Sequence, residues 1–376
     1  MRHVLRTIAG AAIATAAIAT PAVAAHGHND WRSNAAVFVQ TDSTAGNQVL
    51  AYQRAANGRL TYVASYSTGG NGATAVGATA DPLASQHSLV TADDGHVLLA
   101  VNAGSGTVSV FRVDGTRLSL RQTISSDGAF PASIAVHDKL VYVLNAGGDG
   151  NVAGFTLRHG RLHELAGSSR TLSLANTNPP NFLASPGQVG FSPDGAQLIV
   201  TTKASTSSID AFAVGRHGRL SATPTSNVSA TPVPFAFVWG SKDRLVVAEA
   251  KNSTVSSYSV DSAGTTTLLG SAADGQAALC WITEARGYYY VSNAGSANVS
   301  AYTLNSAGQP VLVGIAGTTQ AGTTDSAAAD HGRFLYVENG GAGSVSEFAV
   351  AGSGQLTNIG TVSGLPTGIE GIAAVG

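Results

Sequence analysis

Seven times along the chain an apolar strand, a polar turn that often reads Asn-Ala-Gly, and a second strand ending in an aromatic residue follow one another. Such self-similarity marks a repeat architecture, and it constrains the fold more than any other feature of the sequence. The clearest copies are Leu98-Leu99-Ala100-Val101-Asn102-Ala103-Gly104 through Val108-Ser109-Val110-Phe111 and Tyr289-Tyr290-Val291-Ser292-Asn293-Ala294-Gly295 through Val299-Ser300-Ala301-Tyr302. Anchored on the first apolar residue of the second strand, the copies fall at positions 49, 108, 152, 209, 255, 299 and 345. The spacings are 59, 44, 57, 46, 44 and 46 residues, the length of a propeller blade. Each copy runs on to a turn with a glycine (Gly58, Gly115, Gly160, Gly218, Gly264, Gly308, Gly354) and a further strand. Glycine there permits the positive φ of a tight hairpin. From the second copy onward another apolar run comes before, so a repeat holds four strands, A to D, and the chain is expected to be an all-β, seven-bladed propeller.

The first copy has no A strand of its own. The C-terminal run Gly368-Ile369-Glu370-Gly371-Ile372-Ala373-Ala374-Val375 has the right character to supply it by pairing with residues 36–41, which would close the ring and protect otherwise exposed sheet edges. Composition agrees: 45 glycines and only 11% charged residues suit short strands and tight turns better than long amphipathic helices. With 20 Lys plus Arg against 22 Asp plus Glu, no field invites nucleic acid or an anionic membrane surface. No stretch after the N-terminus approaches the roughly 20 apolar residues of a membrane span. A monomer is expected.

Residues 1–25 read as a secretory signal: Arg2 and Arg6 precede an uncharged run from Ile8 to Ala19, Pro21 breaks it, and Ala22-Val23-Ala24-Ala25 offers small residues to a signal peptidase. The expected location is therefore secreted, periplasmic or extracellular, with a polar leader over 26–35 and the propeller over 36–376. Cleavage after Ala25 would begin the mature chain with His26-Gly27-His28, a register able to form a square-planar site for Cu(II) or Ni(II); otherwise these residues are simply part of the leader. The single Cys280 cannot form an internal disulfide and lies in an apolar run, as a packed core thiol would.

Because strands in a blade alternate in direction, the starts of the A strands, the ends of the B strands and the D-to-A crossovers share one face. On it the repeat places one imidazole (His87), two carboxylates (Glu249, Glu370), an ammonium (Lys203), Gln188, Asp325 and several asparagines including Asn102. The two longest crossovers, about Gly69 to Gln86 and Leu174 to Pro186, fall there too, and long loops in a compact fold often carry function. Proton-transfer chemistry at such a mouth needs a group that moves a proton and a donor that stabilises a developing oxyanion. His87 or Glu370 could be the base, Lys203 the electrostatic partner and Glu249 a further catalytic group, with Gln188, Asn102 and Asp325 holding substrate. A bland alternative stands beside each: asparagine at a B-to-C turn caps hairpins, and a buried ionisable group can be structural. Neither metal nor cofactor is expected at this mouth.

The segments Val101-Asn102-Ala103-Gly104-Ser105-Gly106-Thr107-Val108-Ser109-Val110-Phe111 and Phe191-Ser192-Pro193-Asp194-Gly195 resemble blades of the seven-bladed lactonase family, which includes 6-phosphogluconolactonase and carboxy-muconate cyclase relatives. The likeness extends over residues 36–376. It implies lactonase or lactonising activity on a small sugar or carboxylate lactone; a non-catalytic propeller that binds a protein, glycan or small ligand through its loop-rich face is the other reading. A phosphorylated substrate would need several cations at the mouth, and only Lys203 is placed there.

Overall fold

The computed structural model describes residues 35–376; the signal, most of the leader and the His26-Gly27-His28 register lie outside the described residues. Seven antiparallel sheets form a ring. Blade 1 joins the C-terminal strand Ile372–Val375 to Ala36–Gln40, Gln48–Arg54 and Leu60–Ser67, and blades 2 to 7 follow in chain order. The outer strand of blade 3 is split into Arg161–Glu164 and Arg170–Thr171, both paired with Asn151–Arg158. The innermost strands (A) are Ile372–Val375, Leu89–Ala92, Pro131–His137, Gln188–Phe191, Pro234–Gly240, Leu279–Ala285 and Thr323–Ala329, and each neighbours the next all the way round. Closure is as expected: Ala36 pairs with Val375 and Val39 with Ile372. No helix among the described residues is long and apolar enough to cross a membrane.

The core lies between blades rather than within one. The aromatic that ends each C-strand repeat (Tyr52, Phe111, Phe155, Phe212, Tyr258, Tyr302, Phe348) is buried against a neighbouring sheet. Removing one such ring costs about 3–5 kcal/mol by cavity formation. Three B-strand tyrosines add a polar latch, each donating to the carbonyl of the next blade's turn glycine: Tyr142 to Gly218 at 2.8 Å, Tyr290 to Gly354 at 3.0 Å and Tyr336 to Gly58 at 2.6 Å. These turns have φ of 76°, 83° and 86°, the region glycine enters without strain.

Candidate functional site

Four A strands carry a register shift near their first residues, at Pro131/Ser133, Pro234/Ala236, Leu279/Trp281 and Thr323/Ser326. Bulges of this kind redirect side chains beside functional sites; here Asp325 sits on one. Into the ring that these starts define runs the crossover from blade 1 to blade 2, and its segment Asp81–Ser88 plugs the axis.

The plug is built from its first residue. Asp81 Oδ1 accepts the backbone N–H groups of Leu83 and Ala84, each at 2.8 Å, and Oδ2 accepts that of Ser85 at 2.9 Å, folding the segment into a tight turn. The segment then binds blades on several sides. Ser85 Oγ donates to Ala132 O at 2.7 Å, Trp281 Nε1 donates to Ser85 O at 2.8 Å, and Gln86 N donates to Gly187 O at 3.1 Å. The Gln86 amide pairs with both backbone groups of Ile282, at 2.8 and 2.9 Å. Leu83, Ala84, Ser85, Gln86 and Ser88 are buried, so the mouth expected to bind substrate is filled. The second long crossover covers it: Val76 N donates to Pro180 O at 2.8 Å and Phe182 N to Val76 O at 2.9 Å.

Of the residues singled out from sequence, His87, Gln188, Asp325, Glu370 and Lys203 come together in or behind this plug. Lys203 is wholly buried, its ammonium donating to Ala84 O and lying 4.9 and 4.7 Å from the ring centres of Phe182 and Phe235. Burial pulls it down to about 7 against the opposing charge of Asp81, while Asp81 itself is pushed up to about 6 by burial. Asp325 accepts from Ser326 N at 2.7 Å and His87 N at 3.4 Å, and burial pushes it up to about 7. Among the described residues Glu370 has no partner on either carboxylate oxygen, and it is raised well above the ordinary range by burial and by Asp81, Asp42, Asp325 and Glu338.

Glu249 and Asn102 stay away from the axis. Glu249 accepts from Ser229, Thr231, Ser256 and Tyr258 hydroxyls at 2.5 to 2.6 Å, a satisfied carboxylate between strands of blade 5 and the loop before it. Asn102 donates to Thr107 and Ser109 at 3.1 and 2.8 Å, closing its own turn. Cys280 is a buried thiol, pushed up to about 12 by burial.

Asp81, Gln86, Asp42 and Glu338 were not singled out from sequence. Glu338 lies one residue before the asparagine that the repeat aligns, so period-2 alternation turns it inward; Gly371 N donates to its Oε2 at 3.0 Å. Asp42 follows the B strand of the unusual first blade and accepts from Gln40 Nε2 at 2.6 Å and Glu370 N at 3.2 Å. Among the described residues no three His, Cys, Asp or Glu side chains converge as a metal site.

Of this group His87 and Gln188 line open space, and His87 is the partly exposed one. Both its ring nitrogens meet amide nitrogens: Nδ1 lies 3.2 Å from Gln188 Nε2 and Nε2 lies 3.4 Å from Gln86 Nε2. Gln188 pairs with the backbone of Phe237 (its Nε2 donates to the carbonyl at 3.0 Å, its Oε1 accepts from the N–H at 2.7 Å), and Gln86 pairs with Ile282 likewise. Those pairings set both amides with N–H toward the imidazole. A protonated ring would oppose donors on both sides, and burial pulls His87 down to about 4. With Nδ1, at the shorter contact, accepting from Gln188, the proton sits on Nε2, and the 3.4 Å approach of the Gln86 amide nitrogen is then a contact and not a hydrogen bond.

Beyond His87, toward the A-to-B turns, two adjoining cavities of about 320 and 280 Å³ share His87, Val90, Thr91 and Val238. Together they touch the innermost strand of every blade.

A family model described as lactonase, seven-bladed beta-propeller, matches residues 83–282. Among solved structures, the chain resembles a candidate 6-phosphogluconolactonase from Bacteroides uniformis (17% identity, TM-score 0.73, covering 91% of this chain and 99% of that one). It also resembles a protein from Lactobacillus plantarum (16% identity, TM-score 0.71, with 91% and 99% covered) and a periplasmic gluconolactonase from Pseudomonas aeruginosa (16%, TM-score 0.69, 91% and 99%). No curated protein matches. The structural likenesses establish the fold; the family match, which spans more than half the sequence, establishes membership, and the chain belongs to the seven-bladed β-propeller lactonase family.

Proposed function

We propose that this protein is exported and opens or closes the ring of a small lactone in its central channel, with His87 as the group that meets the lactone carbonyl. The observation that carries this reading is the imidazole held neutral between two amides at the floor of a cavity. Sequence alone presents His87 as a base; its amide neighbours make it a hydrogen-bond donor. A neutral Nε2–H aimed at a carbonyl oxygen stabilises the oxyanion that forms when water attacks. Such a donor is worth roughly 10²–10³ in rate. Attack forms the new C–OH bond, the acyl C–O bond of the ring then breaks, and the departing alkoxide takes up the proton released by the attacking water. The Thr91 hydroxyl lines the same space and offers a second donor. In the closed plug Lys203, Asp325 and Glu370 hold the segment that carries His87 rather than touching substrate. Export rests on the N-terminal sequence and gains support from the periplasmic relative.

The test is hydrolysis of a lactone panel by the mature protein. His87→Ala is expected to lower kcat roughly 100-fold, and wild-type kcat should stay flat from pH 5 to 8, because His87 titrates near 4. Undiminished turnover in the variant removes His87 from the reaction, and a loss of rate below pH 6.5 would show that the ring is not held neutral by its surroundings. Absence of turnover on every lactone leaves the binding module, for which the exposed Val76 and Leu183 on the paired crossovers are the natural contact.

A further inference from the structure

The bore on the open side of His87 differs in chemistry from the plugged side. Its walls are mostly apolar, with Val90, Ile134, Val238, Ile282, Phe237 and Trp239 among them; of the uncharged polar side chains, Gln188 pairs with Phe237 and Thr283 with Ser326, and Thr91 adds a hydroxyl. The titratable side chains lining it are His87 at the floor and Glu284 at the rim, and neither lining includes Lys or Arg. Side chains at the strand starts are buried, whereas Val90, Val136, Val238, Trp239, Ala328 and Ala374 are partly exposed and Glu284 is exposed. Access to His87 therefore runs from the A-to-B turns, the face opposite the two long crossovers.

Each cavity, near 300 Å³, sits at the lower end of small-molecule sites; about 150 Å³ already holds a benzene ring. An anion has no countercharge in this lining, and a polyhydroxylated sugar ring would find few polar partners beyond Thr91, leaving most of its hydroxyls against apolar side chains, where unpaired polar groups are costly. A lactone with a hydrocarbon substituent meets neither penalty: its carbonyl has the His87 donor and its chain has the bore.

We infer that the substrate of this site is an uncharged lactone bearing an apolar substituent, entering through the A-to-B-turn mouth with its carbonyl toward His87 Nε2 and its hydrocarbon along the walls. This rests on the lactonase reading and names its substrate class.

Titrating the mature protein with γ-butyrolactone, γ-hexalactone, γ-octalactone and γ-decalactone, with D-glucono-δ-lactone as the polar comparison, tests it. Each added methylene is expected to tighten binding about fourfold while the bore has room, and Val238→Asp should abolish that slope with the thermal midpoint as a check on folding. If the variant does not fold, the wild-type slope decides. Affinity that does not grow with chain length overturns the inference. Turnover of gluconolactone with no turnover of alkyl lactones, unaffected by Val238→Asp, also overturns it while leaving the lactonase reading intact. Chain-length-dependent binding without turnover of any lactone supports the bore as an apolar site and overturns the catalytic reading instead.

Discussion

At the scale of single residues, the channel of this propeller gathers ionisable groups that burial pushes toward their uncharged forms. Glu370 shows it most simply: a buried carboxyl with two unpartnered oxygens and four acidic neighbours is held well above the usual glutamate range. A raised folded-state pKa means that the native protein holds a proton the unfolded chain has released, so stability falls as pH rises from the ordinary glutamate value through the folded one. His87, depressed to about 4, works the other way below pH 6.5, and Lys203 the other way above pH 7, so the Glu370 contribution is read by difference. Glu370→Gln, an isostere of the neutral acid, is expected to raise the midpoint at pH 8 by roughly 3 °C or more and to change it little at pH 5. Equal midpoints for variant and wild type at pH 8 would show that Glu370 is not destabilised by its charge.

Among elements, the Asp81–Ser88 plug is decisive. Its turn depends on one carboxylate accepting three backbone N–H groups, with Ala84 and His87 at φ of 60° and 68°, a conformation such residues adopt only when surroundings impose it. Asp81→Ala leaves three buried donors unpaired and Lys203 without its opposing charge. A loss of roughly 3 kcal/mol is expected, with hydrogen exchange faster at Leu83, Ala84 and Ser85 than in the A strands. Uniform exchange across the molecule would mean that the plug does not open separately. The blade strands themselves were legible from sequence, since alternating apolar residues and turn glycines act locally. The plug was not: Gly69 to Gln86 reads as a long loop, and its partners Ala132, Gly187 and Ile282 are distant in sequence.

For the whole molecule, closure couples the two ends. The last eight residues supply the innermost strand of blade 1, bury Ile369 and Ile372, and place the Gly376 carbonyl 2.7 Å from Arg54 Nη2. Deleting them leaves the edge of Ala36–Gln40 unpaired and removes part of the channel wall, so the midpoint is expected to fall by roughly 10 °C or more in a single cooperative transition. A wild-type midpoint in the truncated protein would show that the ring does not need its closing strand.

Repeat, blade count, turn glycines and closing strand all followed from the sequence, because each depends on short-range periodicity copied seven times. The repeat also brought His87, Gln188, Asp325, Glu370 and Lys203 to one face, since strand ends recur in register. What it could not resolve was depth and direction. Whether a polar side chain at a strand end points to the axis or between blades depends on a one-residue change of phase, which separates Glu338 from Asn339. Whether the axis is open depends on a crossover whose buried polar groups are satisfied only by strands on the far side of the ring. The tertiary structure alone decided that Glu249 is held between strands by four hydroxyls, that the loop-rich mouth is sealed, and that His87 looks out through the other one.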